Sequence, residues 1–394
     1  MNSQPQTVSG GVPYWRLSAY YFFYFAFVGA FSPYFGLYLQ SIGQGAGEIA
    51  LLMSLMSVMR TLAPTLWGWL ADGLRMRAPI VRASALLAGL GFSGFLLTVE
   101  SWGLLLSMGV LSFFWSAALP LVETLTFAHL QRQSQTGRYG NIRVWGSIGF
   151  VLAVLALGYG LDGLPIRALL WIILAILGCI LLCALSIPEI RPEHAPAREG
   201  ALGAVLRQPE VRGFLAACFC MSAAHGALYV FYSLHLVAHG YDKALVGWMW
   251  TLGVLAEIGV FMVMPQMLRR WSRRGVVLFT LWAAVLRFVL IGWYADSFAV
   301  LVFAQLLHGL TFGAYHASAI AEVNQRFVGP LQARGQALYG SVSFGAGGVL
   351  GGLISGYTWE PLGAAWTYSM SAAFALVGVG VLLRAWPRTP ADAA

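Results

Sequence analysis

Long apolar segments alternate with short polar connections along almost the whole chain. Because a helix needs about 20 predominantly apolar residues to cross the hydrocarbon core of a bilayer, this pattern predicts an all-α membrane protein with twelve membrane-spanning helices. The predicted spans cover residues 16–40, 46–71, 79–98, 102–129, 142–161, 166–187, 211–237, 245–268, 275–294, 298–325, 334–356 and 362–383.

The composition supports a chain surrounded by lipid. Of the 394 residues, 59% are hydrophobic and 10% are charged, and the mean hydropathy is +0.74, whereas a typical soluble domain is about 25% charged. Residues 1–15 lack the basic region, the short apolar region and the cleavage site of a signal peptide. We therefore expect the first apolar segment to remain as a span.

One longer polar interval divides the predicted spans six from six. We interpret residues 188–210 as a cytoplasmic linker between an N-terminal half, 1–187, and a C-terminal half, 211–394. The offset that sets Arg60 against Glu257 also sets Asp72 against Arg269. Two parallel six-helix repeats that hold a substrate near the membrane midplane are typical of secondary transporters.

The distribution of positive charge predicts the orientation of the chain. Most of the 23 basic residues lie at the termini and in the even-numbered connections, and the odd-numbered connections hold only Arg167 and Lys243. By the positive-inside rule, both termini are cytoplasmic in a bacterial-type inner (plasma) membrane. The net charge of +8 therefore indicates topology and not a surface for nucleic acid.

The sequence predicts neither a cofactor nor an enzyme. It contains no G-x-x-x-x-G-K-[ST] motif for ATP. The four cysteines lie inside apolar segments, without the spacing of a metal site. The predicted spans hold no paired Asp residues and no set of His residues spaced for zinc, so we expect no catalytic site and no bound metal.

The connection after span 2 carries a recognisable motif. Its sequence, GWLADGLRMR, begins at Gly68 and resembles the G-x-L-[SA]-D-x-x-G-x-[RK] loop of the major facilitator superfamily, with Arg75 at the usual position of the second glycine. A small residue such as Gly68 permits close helix packing, and Asp72 at a helix end can accept hydrogen bonds. The resemblance implies a cytoplasmic gate formed by Gly68, Asp72, Arg75 and Arg77. The alternative is an ordinary loop at the membrane boundary.

Further segments resemble a narrower part of that superfamily. The aromatic span 1, PLVE at 120–123 and NIRVWG at 141–146 are similar to segments of the lactose permease branch. A resemblance to the phenylpropionate permease group covers nearly the full length, with matching segments at 139–147, 224–225, 246–257, 286–287 and 305–312. This resemblance implies proton-driven uptake of small molecules, which are aromatic monocarboxylates in the phenylpropionate group. The chain departs from lactose permease at Thr311, where that protein has a glutamate, and has no lysine in span 11.

Glu123 and Arg143 are the charged residues of the resembling segments in the first half. They stand at similar depth in spans 4 and 5, so we expect them to pair. The pair is either a fixed salt bridge or a bridge that opens when a ligand carboxylate or hydroxyl reaches the guanidinium, which suits bidentate recognition. We predict that six residues bind the substrate, namely Glu123, Arg143, Trp145, Tyr24, His225 and Tyr229.

Polar residues of the second half predict a site that handles protons. His225, Tyr229 and Tyr232 share one face of span 7. Glu257, Arg287 and His308 lie at comparable depth in spans 8, 9 and 10, and we assign proton coupling to these three. Arg287 is the expected partner of Glu257, and a buried carboxylate beside arginine can gain or lose a proton as its hydration changes. A packed core histidine is the alternative for each His.

Two further charged residues complete the set. Arg60 in span 2 has no evident partner, and Glu322 near the cytoplasmic end of span 10 is expected to be exposed. The sequence as a whole predicts proton-coupled symport of a small organic solute by alternating access. The first candidate for the solute is an aromatic or other small carboxylate. A sugar or nucleoside symporter and a proton antiporter that exports toxic compounds remain alternatives. The partners expected are the substrate, protons and lipid, and we expect a functional monomer.

Overall fold

The computed structural model describes residues 11–74, 76–190 and 202–386. Within these ranges eleven helices are long and apolar enough to cross a membrane. They are α1 (Tyr14–Ser41), α2 (Ala46–Leu74), α3 (Ala78–Ser93), α4 (Ser101–Arg132), α5 (Tyr139–Gly163), α6 (Ala168–Ser186), α7 (Pro209–Ala238), α8 (Lys243–Arg270), α9 (Arg273–Trp293), α10 (Phe298–Arg326) and α11 (Arg334–Ala385).

The last of these helices contains the two final predicted spans. Helix α11 breaks at Gly363, where φ is 81° and ψ is 167°, two residues after Pro361. This left-handed conformation favours glycine, which has no Cβ. The break accounts for the twelve predicted spans, since residues before and after Gly363 form separate helices. Residues 191–201 of the predicted linker lie outside the described ranges.

Three helices depart from regular α geometry beside polar residues. A single turn at His225 interrupts α7 between Pro209–Ala224 and Gly226–Ala238. Helix α10 contains a π-helical segment, Gly309–Ala314, and α11 contains another, Ser341–Gly347. Such π-helical segments are rare and occur often at functional sites. The irregular turns therefore make α7, α10 and α11 candidates for carrying a functional site.

The helices pack mainly within each half of the chain. In the first half α1 packs on α5 and α6, and α4 packs on α2 and α3. In the second half α11 packs on α7 and α9, and α8 packs on α10. Between the halves, α5 packs on α8, α2 on α11 and α1 on α7. The interface between the two halves is thus formed by α1, α2, α5, α7, α8 and α11.

The halves exchange helix caps at one end of the bundle. The topology predicted from the basic residues puts this end outside, so we call it the outer end and the opposite end the inner end. Both carboxylate oxygens of Asp162, at the end of α5, accept hydrogen bonds from the first backbone N–H groups of α8, at 2.9 Å from Lys243 and 3.1 Å from Ala244. Glu360 of α11 accepts a hydrogen bond of 2.8 Å from the N–H of Ala46, the first residue of α2. Carboxylates at helix N-termini satisfy free N–H groups and favour the helix dipole.

A close crossing of α5 and α8 adds to these caps at the outer end, and we call the caps and the crossing together the seal. A Cβ at Gly158 of α5 would lie 2.7 Å from the carbonyl oxygen of Lys243, and a Cβ at Gly247 of α8 would lie 2.9 Å from that of Val154. The hydroxyl of Tyr34 donates a 2.7 Å hydrogen bond to Val154 at the same crossing. Glycine lets the two backbones approach to a distance that any side chain would prevent. The outer end is therefore closed.

Candidate functional site

In the first half, Glu123 and Arg143 do not form the expected ion pair. Glu123 instead accepts a 3.3 Å hydrogen bond from the hydroxyl of Tyr139. The guanidinium of Arg143 lies 4.0 Å from the centroid of the Phe25 ring and 5.7 Å from that of Tyr21. A cation over an aromatic face is stabilised by the ring quadrupole, so aromatic residues of α1 hold the arginine in place of the carboxylate.

Tyr24 and Trp145, two residues predicted to bind substrate, both pack against other aromatic residues. Tyr24 stacks on Trp115 of α4, with centroids 4.1 Å apart and ring planes 9° apart, and is 7% exposed. Trp145 lies near the start of α1, where its Nε1 donates a 3.2 Å hydrogen bond to the hydroxyl of Tyr14. Its ring also meets Trp15 edge to face at 5.7 Å. Trp145 thus stands towards the inner end, about half a turn from Arg143.

In the second half, Glu257 and His308 form a close pair. Glu257 Oε1 lies 2.8 Å from His308 Nε2, which joins α8 to α10. The side chain of Glu257 is 17% exposed and that of His308 is 8% exposed. His308 Nδ1 has no hydrogen-bond partner among the described residues. The two predicted proton-coupling residues are therefore in direct contact, at the start of the π-helical segment of α10.

Arg287 is fully buried and does not pair with Glu257. Its Nε donates a 3.0 Å hydrogen bond to the carbonyl oxygen of Ala304, and its two terminal nitrogens donate to Thr311 Oγ1 at 3.0 Å and Gln305 Oε1 at 3.1 Å. The expected partner was thus wrong: neutral oxygens surround this guanidinium. Gln305 and Thr311 project from the two turns of α10 that face α9, and sequence reasoning gave neither this role.

His225 belongs to the same cluster. Its Nδ1 lies 2.8 Å from the carbonyl oxygen of Met221, which assigns the proton to Nδ1. Its Nε2 then accepts, and a terminal nitrogen of Arg287 lies 3.5 Å away. Tyr229, one turn further along α7, is 38% exposed and has its ring 6.0 Å from that of His225. Of the second-half residues predicted to bind substrate, Tyr229 is the accessible one.

The structure describes only part of the predicted gate in the loop after α2. A Cβ at Gly68 would meet no atom within 4 Å, so the expected close packing at Gly68 is absent in this conformation. The backbone N–H groups of Arg77 and Ala78 donate to Glu189 at 2.8 and 2.7 Å, which caps α3. Arg75 and the side chain of Asp72 lie outside the described part of the chain.

Glu322 at the inner end of α10 corrects another expectation. It is 2% exposed rather than open to solvent, because Arg273 Nε at 2.8 Å and Arg326 Nε at 2.7 Å both bind its carboxylate. A buried carboxylate needs such partners to offset the loss of hydration. Glu322 therefore ties α9 to α10 at the membrane boundary.

Comparisons with known proteins agree with this architecture. The model of the MFS_1 like family matches residues 14–370. The Escherichia coli (strain K12) protein named "Probable 3-phenylpropionic acid transporter" is 29% identical over 87% of this chain and 90% of its own length. The maltose permease of Geobacillus stearothermophilus is 29% identical over 92% of both chains.

Among solved structures, that of the nucleoside transporter NupG superposes with a TM-score of 0.83 at 18% identity. It covers 95% of this chain and 99% of the NupG chain, and at that identity the likeness concerns the fold. The family match, by contrast, spans the helices, the seal and the polar clusters described above. The chain is a membrane transporter of small solutes that belongs to the MFS_1 like family of the major facilitator superfamily.

Proposed function

We propose that the protein takes up a small organic carboxylate, with an aromatic acid as the first candidate, by symport with protons across the bacterial inner membrane. The observation that carries this proposal is Arg143, a guanidinium in a membrane span that rests on aromatic rings and has no carboxylate partner among the described residues. A guanidinium can bind a carboxylate through two parallel hydrogen bonds. The partly exposed ring of Phe25 would pack against an aromatic substrate.

The second half supplies a place for the proton. Glu257 and His308 share a hydrogen bond at 2.8 Å, and both stand inside membrane-spanning helices, where charge is costly. A proton taken up by Glu257 makes the pair neutral before the halves rock, and its release on the inner side would reset the site. Arg287 acts on Glu257 electrostatically and keeps its three neutral acceptors throughout. Proton and substrate sites thus lie on opposite halves.

A neutral, hydroxyl-bearing substrate is the second candidate. Glu123 accepts a hydrogen bond from the hydroxyl of Tyr139, and a sugar hydroxyl could take the place of that phenol. The maltose permease supports this alternative. Its sequence identity to this chain equals that of the phenylpropionate relative, which supports the first candidate. A thermal-shift comparison of 3-phenylpropionate, maltose and uridine on the purified protein distinguishes them, and we expect stabilisation by 3-phenylpropionate.

A transport assay in proteoliposomes distinguishes uptake from export. With the outer face exposed to an acidic buffer, the symport proposal expects accumulation of labelled 3-phenylpropionate that a protonophore abolishes. Because a weak acid also crosses lipid passively, liposomes without protein measure the background to subtract. Efflux against the gradient, or accumulation equal to that of empty liposomes, would contradict the proposal.

A further inference from the structure

Arg60 stands at the contact between the halves. It is the fifteenth of 29 residues in α2, so about 21 Å of helix separates it from each end. Its neighbours Ser57 and Thr61 face Gly348 and Gly345 of α11. These two positions pack across the interface, while the side chain of Arg60 is exposed. Arg60 therefore lies near the midplane, beside the place where the first half meets the second.

Within the described part of the chain, no group pairs with this guanidinium. Among the described residues Arg60 has neither a hydrogen bond nor an ion pair, in contrast to Arg287, which is surrounded by acceptors. A permanently charged side chain in a membrane span costs roughly 2.5 to 3.5 kcal/mol even on the lenient insertion scale. Such a charge is tolerated where it faces water or a ligand that compensates it.

The electrostatic reach of Arg60 covers both halves. Its charge acts on the phenol of Tyr24 on α1 and on the phenol of Tyr229 on α7. The other charges that act on Tyr24 are Glu123 and Arg143, both of the first half. Those that act on Tyr229 are Glu257 and Arg287, both of the second half. Arg60 is the charge common to the two groups.

The charged residues predicted for the substrate and proton sites do not balance once Arg60 is added to them. Arg60, Arg143 and Arg287 carry three positive charges, and Glu123 and Glu257 carry two negative charges when both are ionised, which leaves one positive charge in excess. A solute with a single negative charge would neutralise the excess. A neutral sugar or nucleoside would leave it uncompensated in a low-dielectric space.

We propose that Arg60 is a second guanidinium for the substrate carboxylate, beside Arg143, and that it selects monoanions over neutral solutes. This inference rests on the proposed function and adds one residue to the recognition of charge within it. Arg143, seated on the Phe25 ring, approaches the same carboxylate from α5. Because the neighbours of Arg60 on α2 pack against Gly345 and Gly348 of α11, the bound carboxylate stands where the two halves meet.

The test compares an acid with its neutral amide on the purified full-length protein. We would measure the affinities of 3-phenylpropionate and 3-phenylpropionamide, which differ in charge but hardly in shape, by thermal shift and by calorimetry. In the wild type the acid should bind more tightly. In Arg60→Gln its affinity should fall roughly 10-fold or more, while that of the amide stays within about twofold, because a charge-assisted hydrogen bond is lost. Arg60→Lys should keep part of the preference.

Two comparisons make the outcome decisive. Arg167→Gln removes an equal charge from the exposed connection before α6 and should leave the preference for the acid unchanged. A folded Arg60→Gln protein that still prefers the acid would overturn the assignment, as would loss of the preference in Arg143→Gln alone. If the wild type itself binds no carboxylate, the proposed function fails, which is a different result from the failure of Arg60.

Discussion

Glu257 Oε1 and His308 Nε2 lie 2.8 Å apart between α8 and α10, and Arg287, the expected partner of Glu257, binds Ala304, Gln305 and Thr311 instead. A proton on this pair can move between carboxylate and imidazole without a change in the shape of the site. The carboxylate nevertheless remains the better carrier. A charged imidazole would add positive charge beside Arg287, which only an ionised Glu257 could offset.

We therefore expect Glu257→Gln to abolish accumulation driven by a proton gradient while exchange of substrate across the membrane persists. The amide keeps the hydrogen bond to His308 but cannot release a proton. Counterflow and gradient-driven uptake in the same proteoliposomes measure the two activities. His308→Gln is the matched variant, and it should mainly weaken binding or shift the pH optimum. Gradient-driven accumulation that survives in Glu257→Gln would assign the proton to another residue.

Arg143 should not tolerate replacement by lysine. A point ammonium lacks the planar fork that binds a carboxylate bidentately and that stacks on the Phe25 ring. Arg143→Lys should lower substrate affinity roughly tenfold or more with normal expression, as measured by thermal shift with graded ligand. Arg138→Lys, on the exposed turn just before α5, serves as the control. Wild-type affinity in Arg143→Lys would remove this residue from the site.

The exchanged caps should control opening at the outer end. Asp162→Ala leaves the first N–H groups of α8 without acceptors, which costs about 0.5 to 2 kcal/mol for a helix cap. A cysteine placed at Val154, which is buried in the closed seal, reports opening by its rate of labelling from outside. The rate should rise severalfold in Asp162→Ala, and further when Glu360→Ala is added.

A control for this experiment exists in the same helix. Asp242 accepts a 2.7 Å hydrogen bond from the N–H of Leu245, so it caps α8 from within the second half. Asp242→Ala should weaken the helix start without joining or separating the halves, and labelling at Val154→Cys should stay near the wild-type rate. Equal acceleration in Asp242→Ala and Asp162→Ala would show that helix fraying, and not separation of the halves, exposes the reporter.

Thr311 should matter for stability as well as for transport. Thr311→Val removes one acceptor from a fully buried guanidinium, and an unsatisfied buried donor costs about 1 to 3 kcal/mol, more if charged. Thermal unfolding of the purified protein should show a clear fall in midpoint. Thr280→Val is the control, because the buried hydroxyl of Thr280 binds only the carbonyl of Val277 in its own helix. Equal midpoints for the two variants would contradict the role of Thr311.

Apolar length made the helices predictable, because each span must satisfy its backbone inside the bilayer. Contacts between helices were harder to predict. The pairing of Arg287 with Gln305 and Thr311 depends on how α9 and α10 face each other, which no periodicity within one helix determines. For Glu322, the sequence placed the residue at a boundary but could not show that two arginines enclose it. Similarly, Phe25 competes with Glu123 for Arg143 because α1 lies beside α5.

The exchange of caps at the outer end also bears on the ancestry of the chain. The offset that aligns Arg60 with Glu257 aligns Ala46 with Lys243, the two helix starts that are capped, and aligns Asp162 with Trp359, the neighbour of Glu360. A single six-helix ancestor could have paired with a second copy of itself about a two-fold axis. The acid of each copy would then cap the helix start of the other, so that one acid and one helix start in the sequence would produce both contacts. After gene duplication the two copies could diverge, to aspartate on one side and glutamate on the other. The contacts that now close the transporter would then be older than the transporter, as the former interface of a homodimer.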